Sequence, residues 1–435
     1  MNLKVAYICN LLSRIRGGPI LMYKFAEAVA SRGIKVTLVD VEDKKISVDS
    51  FNQILPTYNG SLVFCQFPSR QKLIGLLEDF LLEGTAFWKF ASLEVFARSS
   101  TSDKDNWALH HLTHLLKKLV MNFDIIHIPL WRSPMSLALN IVRYQTKQKY
   151  RAKLICHLIY HPLKIEYALP THNINKALEL VWHALGRDAL IRTLRNFDAI
   201  TVSTPYEYKL VKQLGIDKVY FTGEGIDLDY VKKIKSSALE TARELRRSWE
   251  GEHVILYLGS KVTGKGYPHV IQAFNELVNT WSSDIRLVVI GRESRSYKDK
   301  LMEKALVIEK RLEKGKKLYN YSFVSEFQKY AIIAASDLLV LPSKFETVPI
   351  AFLEAWAFKK PTIGCKIPTL GSVVEPDAAV LIDYGDVNQI KNAVINLLSD
   401  DRLSTKVGDS GYNKLIQTYN LNSVGKRLVE VYTKV

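Results

Sequence analysis

Short apolar runs and helical stripes alternate along the chain from its start. Val5–Cys9 is a continuous run suited to a buried strand, and Ile20–Ser31 follows with apolar positions 21, 25, 28 and 29 on one helical face. Val36–Val39 is a second strand, and further strands are predicted at Leu62–Phe64, Ile125–Ile128, Leu154–Ile159 and Ala199–Val202. Strands separated by helical stretches imply parallel βαβ units. The pattern restarts at Val254–Leu258 and continues with Leu287–Ile290, Leu338–Leu341 and Thr362–Gly364. Between the two series, residues 231–250 are charged and lack strand character, so they read as a linker region. The expected fold is α/β: two Rossmann-like, doubly wound domains facing across a cleft, over residues 1–230 and 231–412. Residues 413–435 are expected to end in a helix, Val424 to Tyr432, that returns to the first domain.

Residues 70–120 are less regular. Leu73 to Phe96 is rich in leucine and aromatic residues, and Leu109, Leu112, Leu116 and Leu119 form one helical stripe. His110, His111, His114, Lys117 and Lys118 lie largely off that stripe. A basic amphipathic helix of this kind lies either on a membrane surface or, as an ordinary surface helix, over a sheet. The spacing of the histidines does not suit a metal site.

A chain of 435 residues exceeds the range over which one core keeps growing, which favours two domains. Its formal charge of +16 is spread over both halves, without a basic tail. That distribution suits phosphorylated substrates or peripheral contact with an anionic membrane face, and gives no support to a nucleic-acid partner. The four cysteines, Cys9, Cys65, Cys156 and Cys365, are far apart and read as reduced core thiols. Met-Asn-Leu-Lys leads directly into the first strand, so no secretory leader is expected, and no run reaches the ~18 apolar residues of a membrane span. The expected location is cytoplasmic, soluble or peripheral at the membrane face.

The segment richest in chemistry is Leu-Pro-Ser-Lys-Phe-Glu-Thr-Val-Pro-Ile-Ala-Phe-Leu-Glu-Ala-Trp, which holds Glu346 and Glu354 eight residues apart. It reads as strand, loop and helix, with Glu346 on the loop and Glu354 in the helix that Pro349 starts. Both carboxylates therefore belong to the C-terminal edge of a sheet, where ligands of α/β folds bind. Gly17 and Gly18 occupy a similar place after the first strand, as a close-approach loop for an anion or a plain tight turn. Gly259 to Tyr267 brings three glycines with Lys261 and Lys265 between a strand and a helix. Its spacing does not fit a P-loop, but cations on such a turn suit a diphosphate.

These elements, in this order, resemble a retaining glycosyltransferase of the GT-B fold, close to the large family 4 of nucleotide-sugar-dependent transferases. The resemblance covers nearly the whole chain. It includes Gly17-Gly18, the strand end Leu-Ile-Cys-His at His157, Val-Ser-Thr-Pro-Tyr-Glu from Val202 and Glu224-Gly-Ile-Asp227. It continues through the Gly259 to Gly266 loop, Ala-Ala-Ser-Asp-Leu-Leu-Val-Leu-Pro-Ser with the glutamate pair, and Leu381-Ile-Asp-Tyr-Gly-Asp. The resemblance implies a nucleotide-diphosphate sugar as substrate, no separate cofactor and no metal. The acceptor would be a glycan or a lipid-linked sugar, bound on the N-terminal domain's side. It further implies that Lys265, with Lys261, neutralises the donor diphosphate, that Gly17 and Gly18 contact the same phosphates, and that Gly291 lines the base pocket. Glu354 would hold the ribose hydroxyls, Glu346 would face the donor sugar near its anomeric carbon, and His157 would contact that sugar or position the acceptor.

Alternatives remain open at this level. His161 competes with His157, and a structural histidine competes with both. Asp227-Leu-Asp229 spells a metal signature of a different transferase fold. Ser260 stands where the family usually has arginine, so either Lys261 substitutes or phosphate binding is weaker. Pro368-Thr-Leu-Gly371 replaces the usual Gly-Gly-x-Pro-Glu turn. An epimerase acting on a sugar nucleotide, or a silent sugar-nucleotide-binding protein, would share these features.

Overall fold

The computed structural model describes residues 3–9, 17–42, 61–66, 119–129, 152–158, 191, 194–293 and 299–435. The aromatic stretch 73–96, His161 and most of the leucine-striped helix lie outside them. The chain forms two compact units.

The first unit comprises residues 1–203, 207–222 and 425–435. Its strands are β1 (Lys4–Cys9), β2 (Lys35–Glu42), β3 (Ser61–Gln66), β4 (Ile125–Pro129), β5 (Lys153–Leu158), β6 (Ala199–Val202) and β7 (Val219–Phe221). They build a seven-stranded sheet in the order β3-β2-β1-β4-β5-β6-β7, parallel throughout. Helices α1 (Gly17–Ala30) and α2 (Pro205–Gln213) accompany it. The inner strands read as near-continuous apolar runs because helices of a doubly wound sheet cover both faces. Val5, Ala6, Ile126, Ile155, Cys156 and Ile200 are fully or almost fully enclosed.

The second unit comprises residues 204–206 and 223–424. It begins with α3 (Leu228–Trp249), followed by β8 (His253–Leu258), α4 (Tyr267–Thr280), β9 (Ile285–Ile290), α5 (Lys300–Lys314), β10 (Leu318–Tyr321) and α6 (Glu326–Ala335). Then come β11 (Leu338–Val340), α7 (Ile350–Trp356), β12 (Thr362–Cys365), α8 (Pro368–Val374), β13 (Val380–Ile382), α9 (Val387–Ser399), α10 (Asp401–Gln417) and α11 (Leu421–Lys434). Its sheet is parallel, in the order β10-β9-β8-β11-β12-β13.

Two boundaries differ from the sequence expectation. Residues 231–250 are no linker: they form α3, which buries Val231, Ala238, Ala242 and Trp249 on one stripe and packs along α6. Asp227 starts this helix as its N-cap, accepting from the Asp229 and Tyr230 N–H groups at 3.0 and 2.9 Å. The second unit therefore starts at residue 223, ahead of the expected 231, and the chain rejoins the first unit at 425, later than the expected 413.

The rejoining segment is the C-terminal part of α11. Arg427 Nε donates to the Thr222 carbonyl at 2.8 Å, and the hydroxyls of Tyr432 and Tyr7 are hydrogen-bonded. A side chain at Gly425 would collide with the Ala28 carbonyl at 2.6 Å, so the glycine lets α11 lie against α1. Among the described residues no helix is long and apolar enough to cross a membrane. Cys156 and Cys365 are buried, and burial pushes the Cys365 thiol up to about 12.

Candidate active site

The strand order of the second unit reverses between β8 and β11, the place where a doubly wound sheet leaves a crevice at its carboxyl edge. The loops that leave these two strands carry Lys265 and Glu346. After β8 the backbone makes a 3-10 turn over Thr263–Lys265, and Gly266 ends it with φ +71°. A Cβ at Gly266 would stand 2.3 Å from the Pro342 carbonyl oxygen, so glycine is needed for both conformation and clearance. The Lys344 N–H donates to the Gly264 carbonyl at 2.9 Å, which ties the two loops together.

This brings Lys265 Nζ onto Glu346 Oε1 in an ion pair. Ser343 Oγ donates to the same oxygen at 2.9 Å, and Thr369 Oγ1 donates to the Glu346 backbone carbonyl at 2.5 Å. Lys265 remains about one-third exposed, whereas the Glu346 side chain is mostly covered. Beneath them Tyr257 is fully enclosed and donates to the Ser260 carbonyl at 2.8 Å. Burial, followed by the Glu346 and Tyr384 charges, holds its phenol well above the ordinary value, so it stays protonated.

Glu354 lies in α7, between Leu353 and Ala355 and buried like them. Lys329 Nζ, from α6, donates to its Oε1 at 2.6 Å. Burial alone would lower the Lys329 ammonium; the Glu354 and Glu326 carboxylates outweigh it and hold the group above its ordinary value. In both Glu346 and Glu354 the second oxygen, Oε2, accepts no hydrogen bond from the described residues. Sequence reasoning missed Lys329, Ser343, Thr369 and Tyr257. Ser343 lies in the same loop as Glu346, but Lys329 is 25 residues from its partner in sequence and carried no local signal.

Other expected residues stand elsewhere. Lys261 is not displayed at the loop surface: its Nζ is buried against Glu309 Oε1 at 2.6 Å and lies 5.4 Å from the Tyr267 ring centroid. Tyr267 OH and Asn320 Nδ2 also donate to Glu309, at 2.5 and 2.7 Å. That network accounts for Lys261 structurally and corrects its expected place beside a ligand phosphate. Gly291 is required by packing, since a Cβ there would stand 1.8 Å from the Gly259 carbonyl oxygen. Asp227 serves as the N-cap of α3.

In the first unit, Gly17 and Gly18 are the opening residues of α1, after β1. His157 is fully enclosed on β5, with Nδ1 bonded to Thr201 Oγ1 at 2.8 Å and Nε2 to Ser203 Oγ at 3.1 Å. Phe25 packs edge-on against it at 4.8 Å, and burial lowers its imidazole to about 3. The chain of contacts continues from Thr201 Oγ1 to His127 Nε2 at 3.2 Å, and from His127 Nδ1 to the Tyr432 hydroxyl at 2.7 Å. His157 is thus buried with both ring nitrogens hydrogen-bonded to described residues, where the resemblance placed it against the donor sugar or the acceptor.

The two units, each a doubly wound Rossmann-like domain, define the GT-B fold class. Residues 240–414 match the family model described as glycosyl transferases, group 1. The chain is similar to the MMP alpha-(1->4)-mannosyltransferase of Mycolicibacterium hassiacum, with 27% identity over 119 residues, covering 27% of this chain and 29% of that protein. It is also similar to the N-acetyl-alpha-D-glucosaminyl L-malate synthase of Bacillus anthracis, with 25% identity over 188 residues, covering 43% of this chain and 46% of the relative. The matches thus span less than half the length of these relatives. A solved structure of Anabaena Alr3699/HepE in complex with UDP and glucose has the same fold, at TM-score 0.68 and 12% identity, over 100% of both chains.

Proposed function

We propose that this chain is a retaining glycosyltransferase that moves a sugar from a nucleotide-diphosphate donor to a hydroxyl of a glycan or lipid-linked acceptor. The observation that carries the reading is the meeting of Lys265 and Glu346 at the β8/β11 reversal, within the segment matched to group 1 glycosyl transferases. Departure of a nucleoside diphosphate calls for a fixed cation at the phosphates more than for a strong base, and Lys265 supplies one. Glu346 stands beside it, where a sugar attached to that diphosphate would lie, and its Oε2 is available to the sugar. Glu354 takes the ribose hydroxyls. The even positive charge suits work at an anionic membrane face on the cytoplasmic side.

A panel of nucleotide sugars screened by thermal shift identifies the donor, because a ligand at 100 times its dissociation constant adds about 2.7 kcal/mol to the native state. With that donor and an acceptor, Glu346→Ala and Lys265→Ala are each expected to reduce transfer by about 100-fold or more, as loss of a transition-state electrostatic contact does. Near-normal turnover in either variant removes that residue from the mechanism.

One observation favours a second reading. With Ser260 in the phosphate loop and Lys261 turned into the core, that loop offers Lys265 as its cation, which would also suit a silent sugar-nucleotide-binding protein. Hydrolysis of the donor without acceptor excludes that reading.

A further inference from the structure

Glu354 is an anomaly in its helix. The sequence of α7 is Ile-Ala-Phe-Leu-Glu-Ala-Trp, and Phe352, Leu353, Ala355 and Trp356 are all buried with it. A lone carboxylate among such neighbours carries a desolvation cost of several kcal/mol unless a partner offsets it. The Glu354 side chain is 6% exposed, and Lys329 is the partner.

The lysine itself is held in place. It lies in the second turn of α6, whose start is fixed by a capping box between Ser325 and Gln328. Its Nζ stands 5.1 Å from the Tyr330 ring centroid and 4.0 Å from Glu326 Oε1. The pair engages one edge of the carboxylate only: Oε1 takes the ammonium, while Oε2 takes no bond from the described residues. The geometry points to Lys329 as a positioning residue, which holds Glu354 turned so that Oε2 accepts the paired 2′- and 3′-hydroxyls of the donor's ribose. This inference rests on the donor reading above.

The test uses the full chain and titrates UDP, GDP and ADP, each beside its 2′,3′-dideoxy counterpart. For the nucleotide that binds, the unaltered protein is expected to prefer the ribose form by about tenfold or more, the scale of hydrogen bonds to a charged acceptor. Lys329→Met is expected to reduce this preference to about twofold while leaving affinity for the dideoxy form nearly unchanged. Lys329→Arg, which restores a cation, recovers most of the preference. Melting temperatures identify the folded variants; should Lys329→Met not fold, Lys329→Gln, which keeps a neutral donor, decides with a partial loss. A variant that folds and keeps the full ribose preference overturns the role of Lys329. Absence of any ribose preference in the unaltered protein overturns the placement of Glu354 and the inference with it. Failure to bind any nucleotide or nucleotide sugar overturns the donor reading itself.

Discussion

Replacement of Lys261 by methionine distinguishes the place the sequence resemblance implies from the place the structure gives. The side chains of Lys261 and Glu309 are 6% and 7% exposed, so solvent screens their attraction little. Removing one partner of such a pair costs about 3–5 kcal/mol, because the other charge is left buried. Glu309 would retain its bonds from Tyr267 OH and Asn320 Nδ2, which places the expected loss near the lower limit, ~3 kcal/mol. For a unit of this size each kcal/mol lowers the melting temperature by about 2–4 °C, so Lys261→Met should melt about 6–12 °C early. Calorimetry of the full chain reads the shift. The double variant Lys261→Met/Glu309→Gln, which removes the stranded charge, should recover most of it. Affinity for the donor should change less than threefold in the folded single variant, a difference of about 0.65 kcal/mol. A variant that melts within ~2 °C of the unaltered protein yet binds the donor tenfold more weakly would refute this account and return Lys261 to the phosphates.

Two further outcomes are expected. His157 stays neutral in the fold down to about pH 3, whereas its ordinary value is 6.5, so between those limits the unfolded chain binds the extra proton. Its contribution to stability is complete above pH 6.5 and is lost as pH falls through that window, by about 1.4 kcal/mol per pH unit. Burial, and then the neighbouring His157 charge, depresses His127 in the same direction. The urea midpoint should therefore fall more between pH 6.5 and 5 in the unaltered protein than in His157→Gln; equal slopes would show that His157 is not held neutral. Asp227→Ala removes an N-cap, at about 1 kcal/mol, and should lower the melting temperature by about 2–4 °C, while Asp227→Asn, which still caps, should change it little. Loss of activity in Asp227→Asn, reversed by added Mn2+, would instead make Asp227-Leu-Asp229 a metal site.

What the sequence made legible follows from where side chains face. Strands β1, β5, β8 and β9 are central or nearly so, covered on both faces, and their unbroken apolar runs declare them. The strands without a clear signal, β7, β10 and β13, are three of the four sheet edges. They are three or four residues long and only partly buried, too short for an apolar run to stand out from its surroundings. Helix α3 was misread because its buried stripe is sparse, with two of its four residues the small Ala238 and Ala242, among many charges. Lys265 and Glu346 were legible because each follows a strand, and parallel topology brings such loops to one edge. Lys261 was not, since its partner lies 48 residues away on α5 and no local pattern distinguishes a buried lysine from a displayed one. The hydrogen-bond chain from Tyr432 to His157 is likewise assembled from separate strands and the last helix.

The pairing of Lys265 with Glu346 constrains how an anionic ligand can be received. A diphosphate that approaches the lysine meets a carboxylate already bonded to it, so the ammonium must be exchanged from one anion to the other. Were Lys265 the only partner, the exchange would leave Glu346, whose side chain is 12% exposed, without a donor, at a cost that opposes binding. Ser343 resolves this: its hydroxyl donates to the same Oε1 at 2.9 Å and stays when the lysine leaves. On the proposed donor reading, the loop after β11 supplies a neutral donor that holds Glu346 oriented while its cation serves the phosphates. Two donors on one oxygen, where one would satisfy the carboxylate, are what such an exchange requires. Ser343→Ala should accordingly weaken donor binding by about tenfold, the value of one hydrogen bond to a charged group, while leaving the Lys265–Glu346 pair of the unliganded protein in place. Donor titration of the variant measures the first effect, and an unchanged melting temperature without donor establishes the second. An equal loss of stability with and without donor would show that Ser343 supports only the resting loop.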